Sequence, residues 1–248
     1  MSRQPSEVVS LVVGGTSGIG AAVARALAAR GDTVVVSGSR SPADAAPLLN
    51  EIEGATYLRA DMQDPDEPAR LVAEIEVAHG RLDHVVYSAG ATVKIPHADL
   101  DSVTDEVFER IIGMNLFAPW RLVRAATPLL RVGGDSTMTF VGALAGVDVG
   151  GSSIPYAVSK AALHHMIKLL GAVLGPEVRI NAVAPGLIET PWTRGEAWDP
   201  LYERVRNGTP LRRVGRPEDI SALIVALMNA GYTTGQTVVA DGGLSLVP

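Results

Sequence analysis

The chain has 248 residues, is 47% hydrophobic, carries a formal net charge of −6 and contains no cysteine. This composition supports a sizeable core, excludes disulfides and thiolate metal sites, and makes a cytoplasmic setting the expectation. With no basic stripe it argues against nucleic acid as a partner, and with no apolar run of bilayer length it argues against a membrane span. The polar opening MSRQPSE has no apolar stretch behind it of the kind a secretory signal needs. His79, His84, His97, His164 and His165 lack zinc-like spacing and read as surface or packing residues.

In chain order, Val8 to Val13 is a short apolar, β-branched run, and Gly14, Gly15, Gly18 and Gly20 follow before the helical pattern of Ala21 to Arg30. Strand, glycine turn and helix in succession bring bare backbone N–H groups to a helix start, where a pyrophosphate is favoured. The turn residues Gly14, Thr16, Ser17, Gly18, Ile19 and Gly20 are therefore candidate cofactor contacts, although glycine turns also arise for steric reasons alone. A second run, Thr33 to Val36, ends in Ser37, Gly38, Ser39 and Arg40, where such a fold meets the adenosine ribose. An acid there would bind a 2′-hydroxyl, but Asp32 precedes the strand and Asp44 lies beyond Pro42. Hydroxyls followed by an arginine suit a 2′-phosphate, so NADP(H) is favoured and NAD(H) is the alternative.

Thr56 to Ala60 then reads as a strand, about Pro65 to His79 as a helix, and Leu82 to Tyr87 as a strand. Alternation at this spacing predicts an α/β fold, a doubly wound parallel sheet with helices on both faces. Asp61 and Ala89-Gly90 follow strands and should lie on the ligand-binding edge. About Ser102 to Leu130 reads as a long helix in which Pro119 deprives the Asn115 carbonyl of its i+4 donor. The result is a kink, or a carbonyl free to hold a water. Ser136 to Val141 is a strand, Val178 to Ala184 another, Pro217 to Met228 a helix and Gln236 to Ala240 a last strand. Between Ile188 and Pro210 a loop-rich segment carrying Trp192, Trp198 and Tyr202 reads as a substrate lid or a surface excursion. No repeat or linker divides the chain, so one domain over 1–248 is expected.

The stretch from Ser152 to Leu174 organises the rest. Tyr156 and Lys160 stand one helical turn apart, so their polar heads share a face, and an ammonium beside a phenol favours the phenolate. That pair could serve as a general acid or base, although half-buried Tyr and snorkelling Lys at this spacing are common on ordinary helices. The helix is apolar on most sides, which predicts burial against its sheet and against a second copy. A homo-oligomer, dimer or tetramer, is expected, with this helix and the one before it at a two-fold interface.

The motifs VVGGTSGIG, Tyr156-Ala-Val-Ser-Lys160, Asn115, NAVAPGLIETP, GRPEDIS and TGQTVVADGG, in this order, resemble those of the short-chain dehydrogenase/reductase family over nearly the whole chain. The resemblance implies a Rossmann-type domain and hydride transfer between a nicotinamide cofactor and a small-molecule carbonyl or alcohol. It implies that Gly14, Gly18, Ile19 and Gly20 hold the pyrophosphate, Asp61 and Met62 the adenine, and Ser88, Ala89 and Gly90 the adjacent ribose region. Lys160 would bind the nicotinamide ribose, Pro185, Gly186 and Ile188 would border the nicotinamide, and Thr190 would meet its amide or the phosphates. Tyr156, Lys160 and Asn115 would be the catalytic residues, Asn115 through a water held on its carbonyl.

Three departures stand against the family pattern: Val13 for a threonine, Tyr87-Ser88 for paired asparagines, and Ala143 where the family places its catalytic serine, thirteen residues before the tyrosine. The expected activity is that of an NADP(H)-dependent carbonyl reductase or alcohol dehydrogenase. Ser152, Ser153 or a hydroxyl of the substrate would supply the missing donor. The alternatives are a dinucleotide-binding protein with weak or no turnover and non-redox chemistry such as dehydration or epimerisation.

Overall fold

The computed structural model describes residues 8–247. The polar opening MSRQPSE, and with it the expectation of no signal, lies outside the described residues. Seven parallel strands form one sheet: β1 (Val9–Val13), β2 (Thr33–Gly38), β3 (Thr56–Arg59), β4 (His84–Tyr87), β5 (Ser136–Val141), β6 (Val178–Pro185) and β7 (Thr237–Ala240). Their spatial order is β3-β2-β1-β4-β5-β6-β7, so the direction of winding reverses between β1 and β4. A crevice opens at such a reversal, beyond the carboxyl ends of the strands.

Alternate side chains of each strand enter two different cores. On one face Leu11, Val85, Met138 and Ile180 pack with Leu71 and Ile75 of α3 (Glu67–His79), Leu122 and Leu130 of α5 (Ala118–Gly133), and Leu163 and Ile167 of α6 (Ile154–Gly171). On the other face Val12, Val36, Val86 and Val183 pack with Val23 and Leu27 of α1 (Gly18–Arg30) and Ile220 and Ile224 of α8 (Pro217–Asn229). A doubly wound parallel sheet is thus the observed architecture.

Three elements differ from the sequence reading. A short α2 (Pro42–Leu49) follows β2, opened by a capping box in which Ser41 and Asp44 satisfy each other's end of the first turn. The long helix is in two parts, α4 (Asp105–Ile112) and α5, joined by a π-helical turn over Gly113–Phe117 where Pro119 removes a donor. The loop-rich segment contains α7 (Asp199–Gly208), whose single buried residue, Val205, leaves little apolar periodicity to read.

At the amino edge of the sheet a buried polar network replaces apolar packing. The Asp83 carboxylate accepts from Val9 N at 2.9 Å and from Arg81, and Asp32 accepts from Ser10 Oγ and Arg30. Arg179 donates to the carbonyls of Leu227, Met228 and Ala230, closing the carboxyl end of α8. His84 sits in this network with Nδ1 2.8 Å from Thr137 Oγ1, and burial, with Arg30 adding to it, pushes the imidazole down to about 4. A histidine held neutral in the fold but free to protonate once unfolded stabilises the fold fully above about pH 6.5, and that contribution is lost as pH falls towards 4. His84→Gln should therefore flatten the fall in melting temperature between pH 6.5 and 4. Identical slopes for the two proteins would remove this histidine as the cause.

Candidate active site

The crevice between the ends of β1 and β4 is built on glycine. Gly14 has φ +74°, and a Cβ placed on it would lie 2.7 Å from Ala89 N and 2.9 Å from the Ser88 carbonyl carbon. The turn is held from behind by the Ser37 carbonyl, which accepts from Gly14 N at 2.8 Å and Gly15 N at 3.1 Å. Gly18 opens α1 at φ +52°, with Thr190 Cγ2 3.2 Å from its Cβ position, and a side chain at Gly20 would strike the Gly14 carbonyl. The backbone here can be approached closely by a ligand, and the start of α1 carries the favourable end of the helix dipole.

One cleft gathers Gly14, Ser17, Gly18 and Ile19 from this turn, Ser88, Ala89 and Gly90 from the end of β4, and Tyr156 and Lys160 from α6. Pro185, which ends β6, and Gly186, Ile188 and Thr190, which follow it, are also read from the sequence and line the cleft, as do Val141, Gly142, Ala143, Pro191, Trp192 and Thr193. Lys160 is buried and its Nζ donates to the Val141 carbonyl at 2.9 Å, while lying 5.8 Å from the centre of the Tyr156 ring. Burial pushes the Tyr156 phenol up to about 12 and the Lys160 ammonium down to about 8. The expected lowering of the phenol by the ammonium is thus overridden by desolvation, and Tyr156 stands in its protonated form.

Other candidates are placed elsewhere. Asn115 is buried behind the cleft wall: its side-chain oxygen accepts from Ala91 N at 2.8 Å, and Nδ2 donates to Ala91 O and to Ser159 Oγ, both at 2.9 Å. Ser159 Oγ in turn donates to the Tyr156 carbonyl at 2.7 Å, so the Asn115 amide ties the strand end to the tyrosine's helical turn. The Ser37 hydroxyl is buried without a hydrogen-bond partner, while its carbonyl supports the glycine turn. Thr16 packs over Gly38. Ser39 and Arg40 are exposed beyond β2, in a loop whose backbone is held by Tyr57 Oη at 2.8 Å from both Gly38 O and Arg40 O and by Arg59 Nε at 3.1 Å from Ser39 O. Asp61 follows β3 with its backbone N–H on Glu67, and the Met62 side chain is in the core.

Ser153 caps α6 by accepting from Tyr156 N at 3.4 Å, and Ser152 Oγ shares a short hydrogen bond with Thr92 Oγ1. Neither lines the cleft, so neither occupies the place of the hydroxyl that Ala143 lacks. Sequence reading missed Arg59 and Tyr57, which reach the Ser39–Arg40 loop only through pairing of β2 with β3; a basic residue at a strand's carboxyl end was the available signal. It also left Trp192 in a general lid, whereas the indole carbon Cη2 lies 3.3 Å from the Cβ position of Gly90. Lys94 over the Trp198 ring, at 5.3 Å, joins the same segment to the loop after β4. Among the described residues no cluster of His, Cys, Asp or Glu could hold a metal ion, and no helix is long and apolar enough to cross a membrane.

A family model described as enoyl-(acyl carrier protein) reductase matches residues 13–245. A Streptomyces violaceoruber protein, named as ketoacyl reductase 2 of the granaticin polyketide synthase, is 46% identical over 244 residues, which is 98% of each chain. A crystal structure from Burkholderia xenovorans, described as a short-chain dehydrogenase/reductase, has a TM-score of 0.88 at 34% identity and covers 98% of this chain and 100% of its own. The Pseudomonas aeruginosa RhlG structure, an NADP active-site complex, has a TM-score of 0.87 at 28% identity over 97% of this chain and 99% of its own.

Proposed function

This chain belongs to the short-chain dehydrogenase/reductase family, and from that premise we propose that it is an NADP(H)-dependent carbonyl reductase, or in reverse an alcohol dehydrogenase. The observation that carries the reading is half-buried Tyr156 and buried Lys160 sharing one cleft with a glycine turn that has no room for side chains. That turn is the cradle a nicotinamide dinucleotide requires. Gly14, Ser17, Gly18, Ile19 and Gly20 hold the pyrophosphate, with Thr16 beneath the loop beside it. Asp61 and the Met62 backbone border the adenine, and Ser88, Ala89 and Gly90 the adjacent ribose. Lys160 holds the nicotinamide ribose, and Pro185, Gly186, Ile188 and Thr190 the nicotinamide.

When bound, the reduced nicotinamide supplies hydride to a carbonyl carbon. The chain's own part is to bring a proton to the carbonyl oxygen, and a phenol raised to about 12 arrives protonated at neutral pH. The Lys160 ammonium, fixed on Val141 O, stabilises the phenolate left behind. Preference for the 2′-phosphate is supported by Ser39 and Arg40, with Arg59 donating to the same loop, and by Asp44 being engaged in capping α2. Ala143 favours a second reading, a dinucleotide-binding protein of little turnover. A homo-oligomer is supported by the exposure of Phe117 and Trp120, 51% and 40% exposed on the α4–α5 side, and of Val158 and Leu169 on α6. The segment 188–210 is the substrate lid of this reading.

Tyr156→Phe should lower turnover by about 10²-fold or more while leaving cofactor affinity unchanged. Equal rates for variant and wild type across a carbonyl panel would support the binding-protein reading instead. Arg40→Ala should weaken NADPH binding by about tenfold and leave NADH binding alone, a charge-assisted contact being lost; wild type binding NADH as tightly as NADPH would overturn the preference. Light scattering at micromolar concentration should give the mass of a dimer or tetramer, and a monomer would overturn the assembly.

A further inference from the structure

The cleft divides into two ends of different chemistry. Around the glycine turn it is lined by Ser17, Ser88 and Thr190, the Ser88 backbone lying against Gly14 and the Thr190 methyl against Gly18. Thr193 Oγ1 is committed to the Ile188 carbonyl at 2.6 Å. Gly142, Ala143 and Trp192 line the same cleft as Tyr156. Trp192 turns the carbon edge Cζ3–Cη2 towards Gly90, away from its own N–H, and stays 43% exposed. The single charged side chain lining the cleft among the described residues is Lys160, held on Val141 O. With Ser152 and Ser153 engaged elsewhere, Tyr156 is the one side-chain hydroxyl at its end of the cleft.

A carbonyl oxygen that takes on negative charge needs more than one donor, because each donor aimed at a developing oxyanion is worth about 10² to 10³ in rate. An exposed indole in the wall of a cleft that also carries Ala143 favours a flat, uncharged aromatic ring. We propose that the substrate is a planar aromatic ketone bearing a ring hydroxyl beside the carbonyl, whose own O–H donates to the carbonyl oxygen in the place Ala143 leaves bare. As the carbonyl carbon gains hydride from the reduced nicotinamide dinucleotide, the C=O π pair moves onto oxygen. The ring hydroxyl keeps its proton and its hydrogen bond shortens onto that oxygen, which then takes the Tyr156 proton to give the alcohol. The inference rests on the carbonyl reductase reading and specifies its substrate.

The test compares 8-hydroxy-1-tetralone, 8-methoxy-1-tetralone and 1-tetralone with NADPH, in wild type and Ala143→Ser. In wild type the hydroxy ketone should show kcat/KM at least about tenfold above the other two, the methoxy group matching its bulk without a proton to donate. In Ala143→Ser the two ketones lacking the hydroxyl should gain and the gap should close, a comparison that cancels their intrinsic reactivity. Independently of turnover, titration of each ketone into the NADP⁺ complex should quench tryptophan fluorescence, and Trp192→Leu should abolish that quench and weaken binding. Equal rates for the three ketones in wild type, an undiminished gap in Ala143→Ser, or quenching that survives Trp192→Leu would each overturn the inference and leave the reductase reading standing. Reduction of aliphatic ketones alone would do the same. No turnover of any ketone, aromatic or aliphatic, by protein that binds NADPH would overturn the reductase reading and the inference with it.

Discussion

The hydrogen bond from the buried Lys160 ammonium to the Val141 carbonyl, 2.9 Å long, is the constraint on which the site depends. An ammonium without solvent is costly, and burial has already lowered its pKa to about 8, so its position is dictated by the acceptors within reach. The carbonyl it uses is the last of β5, which binds the helix bearing Tyr156 to the strand end bearing Ala143. Gly146 then lies flat on α6, its Cβ position 2.6 Å from the Lys160 carbonyl carbon and 2.7 Å from Ala161 N, and the His164 ring presses on Gly142. Strand end, connecting strap and helix are one packed unit. The separation of the proton donor from the opposite wall is therefore set by backbone packing.

The same burial decides which protonation states the site offers. In a charge-only view the ammonium beside Tyr156 lowers the phenol, but desolvation acts on both groups and favours the neutral form of each. At 5.8 Å from the ring centre the ammonium does not offset it. Tyr156 thus keeps its proton, which is the form the proposed reduction would use. In that proposal the energetic role of Lys160 would fall in the later state, once a phenolate had formed in a place with little water to solvate it.

The sheet, its parallel direction and the glycine turn were legible because each is a local pattern: β-branched runs at regular spacing, and glycines between a strand and a helix. The spacing of Tyr156 and Lys160 was legible for the same reason. Features that depend on packing between distant segments were not. The burial of the Ser37 side chain follows from which core Val35 and Val36 enter, which one-residue register along the strand decides. Asn115 was read through its backbone and Pro119, whereas its side chain does the bracing, joining Ala91 to Ser159 across 24 and 44 residues of sequence. Arg59 needed the β2–β3 register, and α7 has too narrow an apolar face to be read from periodicity.

Ala143 changes what kind of selectivity this cleft has. A site with two fixed donors stabilises any oxyanion that fits and discriminates by shape alone. In the proposed reductase, with Tyr156 as proton donor and no hydroxyl at Ala143, a ligand's hydrogen-bonding capacity would enter the barrier directly, because the second donor would be either carried by the substrate or absent. The loss falls unequally: a ketone with an internal donor loses little, and one without it loses most of what a fixed hydroxyl would give. On the same proposal Trp192 would act in the same direction by favouring the planar frameworks that hold a hydroxyl and a carbonyl in one plane. Methyl and indole together would then make discrimination a matter of chemistry at the reacting oxygen, while the residues around Gly14 and Gly18, and the Ser39–Arg40 loop outside the cleft, would meet the charged parts of the cofactor.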